Sequence, residues 1–377
     1  MAEPRQPTPL ALKIADRIRR DGPIPVADYM DACLQDPEHG YYRTQPAIGA
    51  AGDFVTAPEI SQIFGELIGI WMAVAWRAIG APASIDLVEL GPGRGTLLND
   101  ALRAGRIIPG FLAASRLQLV ESNAPLRDLQ QKTLSAHTPS IPTRWHNALS
   151  PHIASDAPVI LIANEFLDAL PVRQLVYRQG SWHERCVGLD AQGQFTFTMG
   201  VGTVDVGAAA TADALPEGLT PQDGDILEVR ADAAGIAQCL SDWADRPVAA
   251  LFIDYGHERT AFGDTLQAVH QQKHVPVFER PGQCDLTTQV DFQDFSRRCA
   301  ALGLTVDGPI TQTDFLMRMG LAERSEALMS KARPDQLGLL EAGIRRIADP
   351  FGMGGRFKVM CVRSKHVPML PPFTPHV

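Results

Sequence analysis

Two carboxylates and an amide stand together just past an apolar run. PVILIA (158–163) is followed by NEFLDALP, which presents Asn164, Glu165 and Asp168. Acids so placed have two ordinary uses. They cap the next turn by accepting backbone N–H groups, or they grip a ligand that is cationic or rich in N–H donors. Other chemically able residues end other apolar runs. LVELGPGRGTL sets Glu89 before Gly91, Gly93 and Gly95. LQLVES ends in Glu121 and Ser122, TRWHNAL carries Trp145, His146 and Asn147, and VAALFIDYGH ends with Tyr255 and His257.

The glycine group makes either a plain tight turn or a nucleotide-binding turn, and its spacing departs from that of a dinucleotide. Glycine permits a sharp turn and close approach to a ligand, and the helix that follows offers unpaired amides. A dinucleotide turn reads G-x-G-x-x-G/A, whereas here Thr96 occupies the last position and Gly95 precedes it. Acid-x-Gly-x-Gly-x-Gly resembles the first motif of class I S-adenosylmethionine-dependent methyltransferases. Glu121 then falls where an acid accepts hydrogen bonds from both ribose hydroxyls, with capping of the next helix as its other use. Ser122 stands beside it. In those enzymes the third strand edge meets the adenine, which makes Asn147 the candidate for the base.

These groups need a scaffold that collects strand ends. From Ser84 the chain alternates strand, turn and helix: IDLVEL, LQLVES, TRWHNAL, PVILIANEF and, later, VAALFIDYGH are strands with helical segments between. That alternation predicts an α/β fold, a mostly parallel twisted sheet with helices on both faces. Residues 1–81 read as an N-terminal helical region. Its helices are PLALKIADRIRRDG, PVADYMDACL and one long helix from Thr56 to about Gly80, opened by a Thr56/Glu59 capping box. Residues 41–57 form a lid-like loop rich in small residues. The core occupies 82–171 and resumes at 231–365 with a helical insertion. Short alternating runs over 172–230 predict an inserted β-rich region, and 366–377 is a tail.

Composition narrows the function. Of 377 residues, 45% are hydrophobic and 20% charged, with a net charge of −9. No basic block offers a nucleic-acid footprint. The longest apolar stretch, LIGIWMAVAW, is too short to span a bilayer. Glu3 and Asp16 argue against a transit peptide, and no secretory core is present, so a cytoplasmic location is expected. The six cysteines have no metal-ligand spacing and read as reduced thiols, with no metal.

HGYY (39–42), GDFVTAPEISQIFGELIGIW (52–71), ELGPGRGTLLND, NEFLDALPVRQL, FIDYGH, DLTTQVDF and GRFKVM occur together in this chain. Together they resemble the MidA-like family of methyltransferases, over about residues 10–365. That family includes mitochondrial assembly factors of respiratory complex I that act as protein arginine methyltransferases. The resemblance implies a Rossmann-like core and S-adenosylmethionine as cofactor. It also implies a protein acceptor, with a complex I subunit as one candidate. Glu89, Gly91, Gly93, Gly95, Glu121, Ser122 and Asn147 would face the cofactor, under a lid carrying Gly52 and Thr56. Glu165 and Asp168 would hold the acceptor guanidinium, Asn164 would orient acceptor or cofactor, and His257 would take a proton. A homodimer is one permitted assembly. The 178–217 stretch carries none of these motifs.

Three other readings remain open on residues alone. A scaffold could use the insertions to hold a partner without catalysis. A methyltransferase could act on a small molecule or on nucleic acid. Asn164 suits amino-methylation of a base, but Glu165-Phe166 replaces the Pro-Pro-aromatic that such enzymes carry. A nicotinamide dehydrogenase is disfavoured by the glycine spacing.

Overall fold

The computed structural model describes residues 6–44, 55–137, 140–205, 215 and 218–373. Among the described residues the central sheet has eight strands, seven of them in one continuous path. The seven are β1 (Ile85–Leu90), β2 (Ser115–Val120), β3 (Thr143–His146), β4 (Val159–Asn164), β5 (Val248–His257), β6 (Thr305–Thr311) and β7 (Phe357–Arg363). Their order is β3-β2-β1-β4-β5-β7-β6, and Val290–Asp291 pairs with the end of β5. The first five strands run parallel. β7 is antiparallel to both β5 and β6. The sheet is therefore mixed and mostly parallel, the class expected from the sequence.

Register decides where the site lies. Leu90 pairs with Val120 on one side and Ala163 on the other. Val120 pairs with His146, and Asn164 with Ile253. Asn147, Glu121, Gly91, Glu165 and Asp254 thus follow one another along a single carboxyl-terminal edge. The order reverses between β1 and β4, which opens a crevice at that edge.

Both faces of the strands are covered, which explains their near-continuous apolar sequence. Ile85, Leu87, Ile160 and Ile162 face one core with helices Gln62–Ala78 and Thr96–Gly105. Val88, Leu90, Leu161 and Phe252 face the other, with helices Asp232–Asp242 and Phe292–Ala301. The first helix pair packs very closely. A Cβ on Gly69 would lie 2.2 Å from the Ala101 carbonyl oxygen, so only glycine allows that approach. Arg103 and Arg324 meet the buried Glu66 at 2.9 and 2.6 Å and tie Leu321–Met329 to the pair.

Three expectations need correction. The long helix from Thr56 is broken at Ser61, into Ala57–Ile60 and Gln62–Ala78. The capping box does not form: the Thr56 side chain makes no cap bond, and Glu59 instead accepts from the Thr96 hydroxyl at 2.5 Å. Glu59 is therefore drawn to the glycine-turn helix rather than to its own helix start.

The N-terminal helices and the inserted strands also share one core rather than forming separate regions. Leu10, Ile14 and Tyr29 pack with Val172 and Val187, and Ile24–Pro25 adds an edge strand to Ser181–Leu189. After β5 the chain holds a three-stranded antiparallel sheet of Gln267–His270, Lys273–Val275 and Asp285–Thr287. Its polar content (QAVH, KHV) hides the strand pattern. Among the described residues no helix is long and apolar enough to cross a membrane.

Candidate active site

The glycine turn comes first. Gly91, Gly93 and Gly95 all have positive φ, at 60°, 56° and 80°, a region that residues with a Cβ rarely adopt. A Cβ on Gly91 would also lie 2.9 Å from the Phe166 ring, in the NEFLDALP segment. The two sequence motifs are thus packed against each other across the crevice. Glu89, one residue inside β1, is 4% exposed, and its Oε2 has no partner among the described residues. Burial pushes its carboxyl up to about 8. An unsatisfied buried acid is costly and suits a ligand that brings a cationic or N–H group.

The β2 edge is braced by a residue that the sequence reading did not single out. Gln130 is fully buried. Its Nε2 donates to the Gly93 carbonyl at 2.9 Å and to Glu121 Oε2 at 3.3 Å, while its Oε1 accepts from Trp145 Nε1 at 2.8 Å. One amide so positions the turn, the acid and the third edge together. No local motif marks it, because it lies mid-helix. Glu121 Oε1 accepts from the Asn123 amide at 2.8 Å, and burial raises its pKa against the pull of these donors. Capping of helix Ala124–Thr133 falls to Asn123, which accepts from Leu126 N at 3.3 Å. Ser122 offers its carbonyl to Arg43 at 3.0 Å, and Asn123 Nδ2 donates to the Tyr42 carbonyl at 2.5 Å. The HGYY segment therefore sits over the β2 edge. Asn147 is exposed and accepts from Arg127 at 2.5 Å, so it is already engaged at the rim. Gly52 lies outside the described residues.

Glu165 sits in the left-handed region at φ 49°, a strain of about 1–3 kcal/mol for a residue with a side chain. Its amide donates to the Ile253 carbonyl at 2.8 Å, so β5 holds the turn in place. Its Oε1 accepts weakly from Ala57 N at 3.3 Å and Asn164 Nδ2 at 3.4 Å. Burial, and then the nearby Asp168 charge, push Glu165 up to about 8. Thr56, Glu59, Glu89, Gly91, Asn164 and Glu165 line one cleft. Among the described residues it contains three carboxylates, Glu59, Glu89 and Glu165. Glu59 is the member that the sequence reading assigned to capping.

Asp168 is not in that lining. It lies beneath, 5% exposed, hydrogen-bonded to the Tyr255 hydroxyl, with Oδ1 unpartnered. Burial raises it to about 6, opposed by Tyr255 and the Arg230 charge. The pairing of Glu165 and Asp168 as one open fork is therefore corrected: Glu165 faces the cleft and Asp168 supports it from below. Nor does Asp168 cap its own turn. That work belongs to Asp254, whose Oδ2 accepts from Phe166, Leu167 and Asp168 N at 3.2, 2.9 and 3.1 Å, and whose Oδ1 accepts from Tyr255 N at 2.9 Å. Burial and the Asp168 charge push Asp254 well above the usual range. Asp254 lay inside FIDYGH, where the visible signal was only an acid in an otherwise apolar strand.

His257 is the second correction. Its Nε2 lies 3.8 Å from Asp291 Oδ2, and it lines a different cavity that shares no residue with the cleft. The parallel pairing of His257 with Asp291 turns it away from Glu165.

The cleft's residues fit S-adenosylmethionine. Glycine backbone lies under it and Glu89 has an open acceptor, while Glu121, outside the lining, follows the neighbouring strand β2. Residues 67–310 match the family of S-adenosyl-L-methionine-dependent methyltransferases. A Danio rerio protein, named protein arginine methyltransferase NDUFAF7, mitochondrial, is 35% identical over 372 residues, 93% of this chain and 85% of its own. The Homo sapiens protein of the same name is 35% identical over 93% of this chain and 82% of its own. A Burkholderia thailandensis protein crystallised with S-adenosyl-homocysteine superposes with a TM-score of 0.80, at 25% identity, covering 97% of this chain and 96% of that one.

Proposed function

We propose, because the chain belongs to the family of S-adenosyl-L-methionine-dependent methyltransferases, that its methyl acceptor is an arginine side chain of a partner protein. The observation that carries this reading is Glu165, a half-buried carboxylate with no ion pair among the described residues and only the longer-range charge of Arg346 acting on it, held at the cleft wall opposite the glycine turn. The names of the relatives support the same acceptor.

Bound S-adenosylmethionine supplies an electrophilic sulfonium methyl. The chain's residues do the rest. Gly91, Gly93 and Gly95 let the backbone come close, and Glu89 and Glu121 provide acceptors for the cofactor's donors. Ionised Glu165 accepts two parallel N–H bonds from a guanidinium and fixes its plane. That contact draws positive charge toward the bonded nitrogens and leaves the third richer in electrons. Orientation of this kind supplies much of the acceleration in a transfer. A carboxyl held near 8 is also suited to take the proton released on methylation, the role that His257 is misplaced to fill. Asp254 and Asp168 set the Glu165 turn from beneath. A respiratory complex I subunit is the acceptor protein suggested by the family resemblance, and Glu59 offers a second carboxylate at the mouth.

The test is Glu165→Gln. Calorimetry should give cofactor affinity within about threefold of the original chain, while labelled-methyl transfer falls at least ~100-fold, the usual scale for an acid–base group. Full transfer in the variant would remove Glu165 from the reaction.

A further inference from the structure

A second cavity, of about 210 Å³, shares no lining residue with the cleft. Its wall includes Arg230, Ala233, His257, Phe262, Val290 and Phe295. Arg230 is 7% exposed. One arm of its guanidinium is used: Nη2 donates to the Thr288 hydroxyl at 2.5 Å and to the Thr288 carbonyl at 3.4 Å. Its Nε is buried with no acceptor, and among the described residues no carboxylate lies within ion-pair distance of it. A buried cation with no direct ion pair is expensive. Burial lowers its pKa, against the longer-range pull of the Asp254, Glu228 and Asp168 charges.

A second feature points the same way. Arg230 leads directly into the 11-residue helix Asp232–Asp242, whose first turn has no side-chain cap. Ala233, in that turn, lines the cavity. That turn carries Asp232, and Ala234 N donates to the Ala231 carbonyl at 3.0 Å, which leaves the Asp232 and Ala233 amides at the positive end of the helix to meet an anion. Three carboxylates also border the space, but each is engaged elsewhere. Glu228 accepts from Gln174 at 2.8 Å and Thr265 N at 3.0 Å. Asp291 caps the next helix by accepting from Asp294 N at 2.9 Å, and Asp294 pairs with Arg298 at 2.6 Å.

We propose that this cavity binds a small organic anion, its carboxylate or phosphate held by Arg230 and the first turn of Asp232–Asp242, its apolar body against Phe262, Phe295 and Val290. The volume holds a body the size of a benzene ring. Leu167, from the turn that carries Glu165 and Asp168, forms part of the same wall.

Calorimetric titration of the full chain with benzoate tests the site, with benzamide as the neutral isostere and inorganic phosphate as the anion lacking an apolar body. Benzoate should saturate one site below about 10 mM, and benzamide should bind at least about tenfold more weakly, the loss of one charge-assisted contact. Arg230→Gln should weaken benzoate by the same factor and leave S-adenosylmethionine affinity within about twofold. Should that variant misfold, NOEs on the unmodified chain decide: benzoate ring protons should reach the Ala233 and Val290 methyls. Absent saturation, equal binding by the folded variant, or NOEs elsewhere overturn the site. Phosphate binding as tight as benzoate overturns the apolar-body assignment.

Discussion

Asp254→Asn probes how the Glu165 turn is held. The carboxylate accepts four backbone N–H groups, three through Oδ2 at 2.9–3.2 Å and one through Oδ1 at 2.9 Å. Asparagine is nearly isosteric and keeps one acceptor. With its oxygen in the Oδ2 place, its NH₂ faces the Tyr255 amide, so one buried donor loses its partner. That costs about 1–3 kcal/mol, partly offset because a neutral group beside Asp168 relieves like-charge repulsion. A net loss of about 1–2 kcal/mol lowers Tm by roughly 2–8 °C, at 2–4 °C per kcal/mol for a large domain. The chain should therefore fold. Asp254 reaches neither the glycine turn nor the cleft lining. Calorimetry should then show S-adenosylmethionine affinity unchanged within about threefold, while kcat for methyl transfer drops at least about tenfold through misplacement of Glu165. A parallel loss of cofactor affinity would mean that Asp254 supports the whole crevice. Unchanged kcat would mean that the turn keeps its geometry without the carboxylate. Either result refutes the positioning role.

Other expectations follow from the same geometry. Glu165 is raised to about 8, so it is mostly protonated at pH 7, and kcat/KM should rise between pH 7 and 9 as it ionises; a flat profile in that window would place the limiting ionisation elsewhere. Gly91→Ala puts a Cβ at φ 60° and 2.9 Å from the Phe166 ring; a calorimetric loss of cofactor affinity of about tenfold is expected from the displaced turn. Glu66→Ala should destabilise the chain by about 1–2 kcal/mol, because Arg103 and Arg324 lose a buried partner yet are themselves well exposed. Burial raises Glu66, but the bonds and charges of Arg324 and Arg103 hold its pKa below 4.5. The stability gap in thermal melts should be complete above about pH 5 and close as pH falls through the folded-state value.

Much of this site was legible because strand ends carry it. The apolar runs over 85–90, 115–120, 159–164 and 248–257 needed only burial on both faces to be read as parallel strands, and the ends of 85–90 and 159–164 named the cleft. Glu89, Gly91 and Glu165 needed no more than that. Gln130 and Asp254 were not legible, because each acts through partners remote in sequence: 37 positions from Gly93 and 86 from Asp168. Spacing within a motif cannot report such bonds. His257 failed for a related reason. It ends the correct strand, but its pairing with Asp291 carries it past the cleft. Glu59 was read from a capping pattern that a tertiary bond to Thr96 overrode. The shared core of the N-terminal helices and the inserted strands also depends on contacts between distant segments, such as Ile24 with Val187.

The central claim is the acceptor. Incubating the full chain with methyl-labelled S-adenosylmethionine and extract from its own source, then locating the label by peptide mass spectrometry, tests it most directly. The account predicts label on a guanidinium nitrogen of a protein arginine, absent when Glu165→Gln replaces the original chain. Label on a small molecule, on nucleic acid or on another side chain would contradict it.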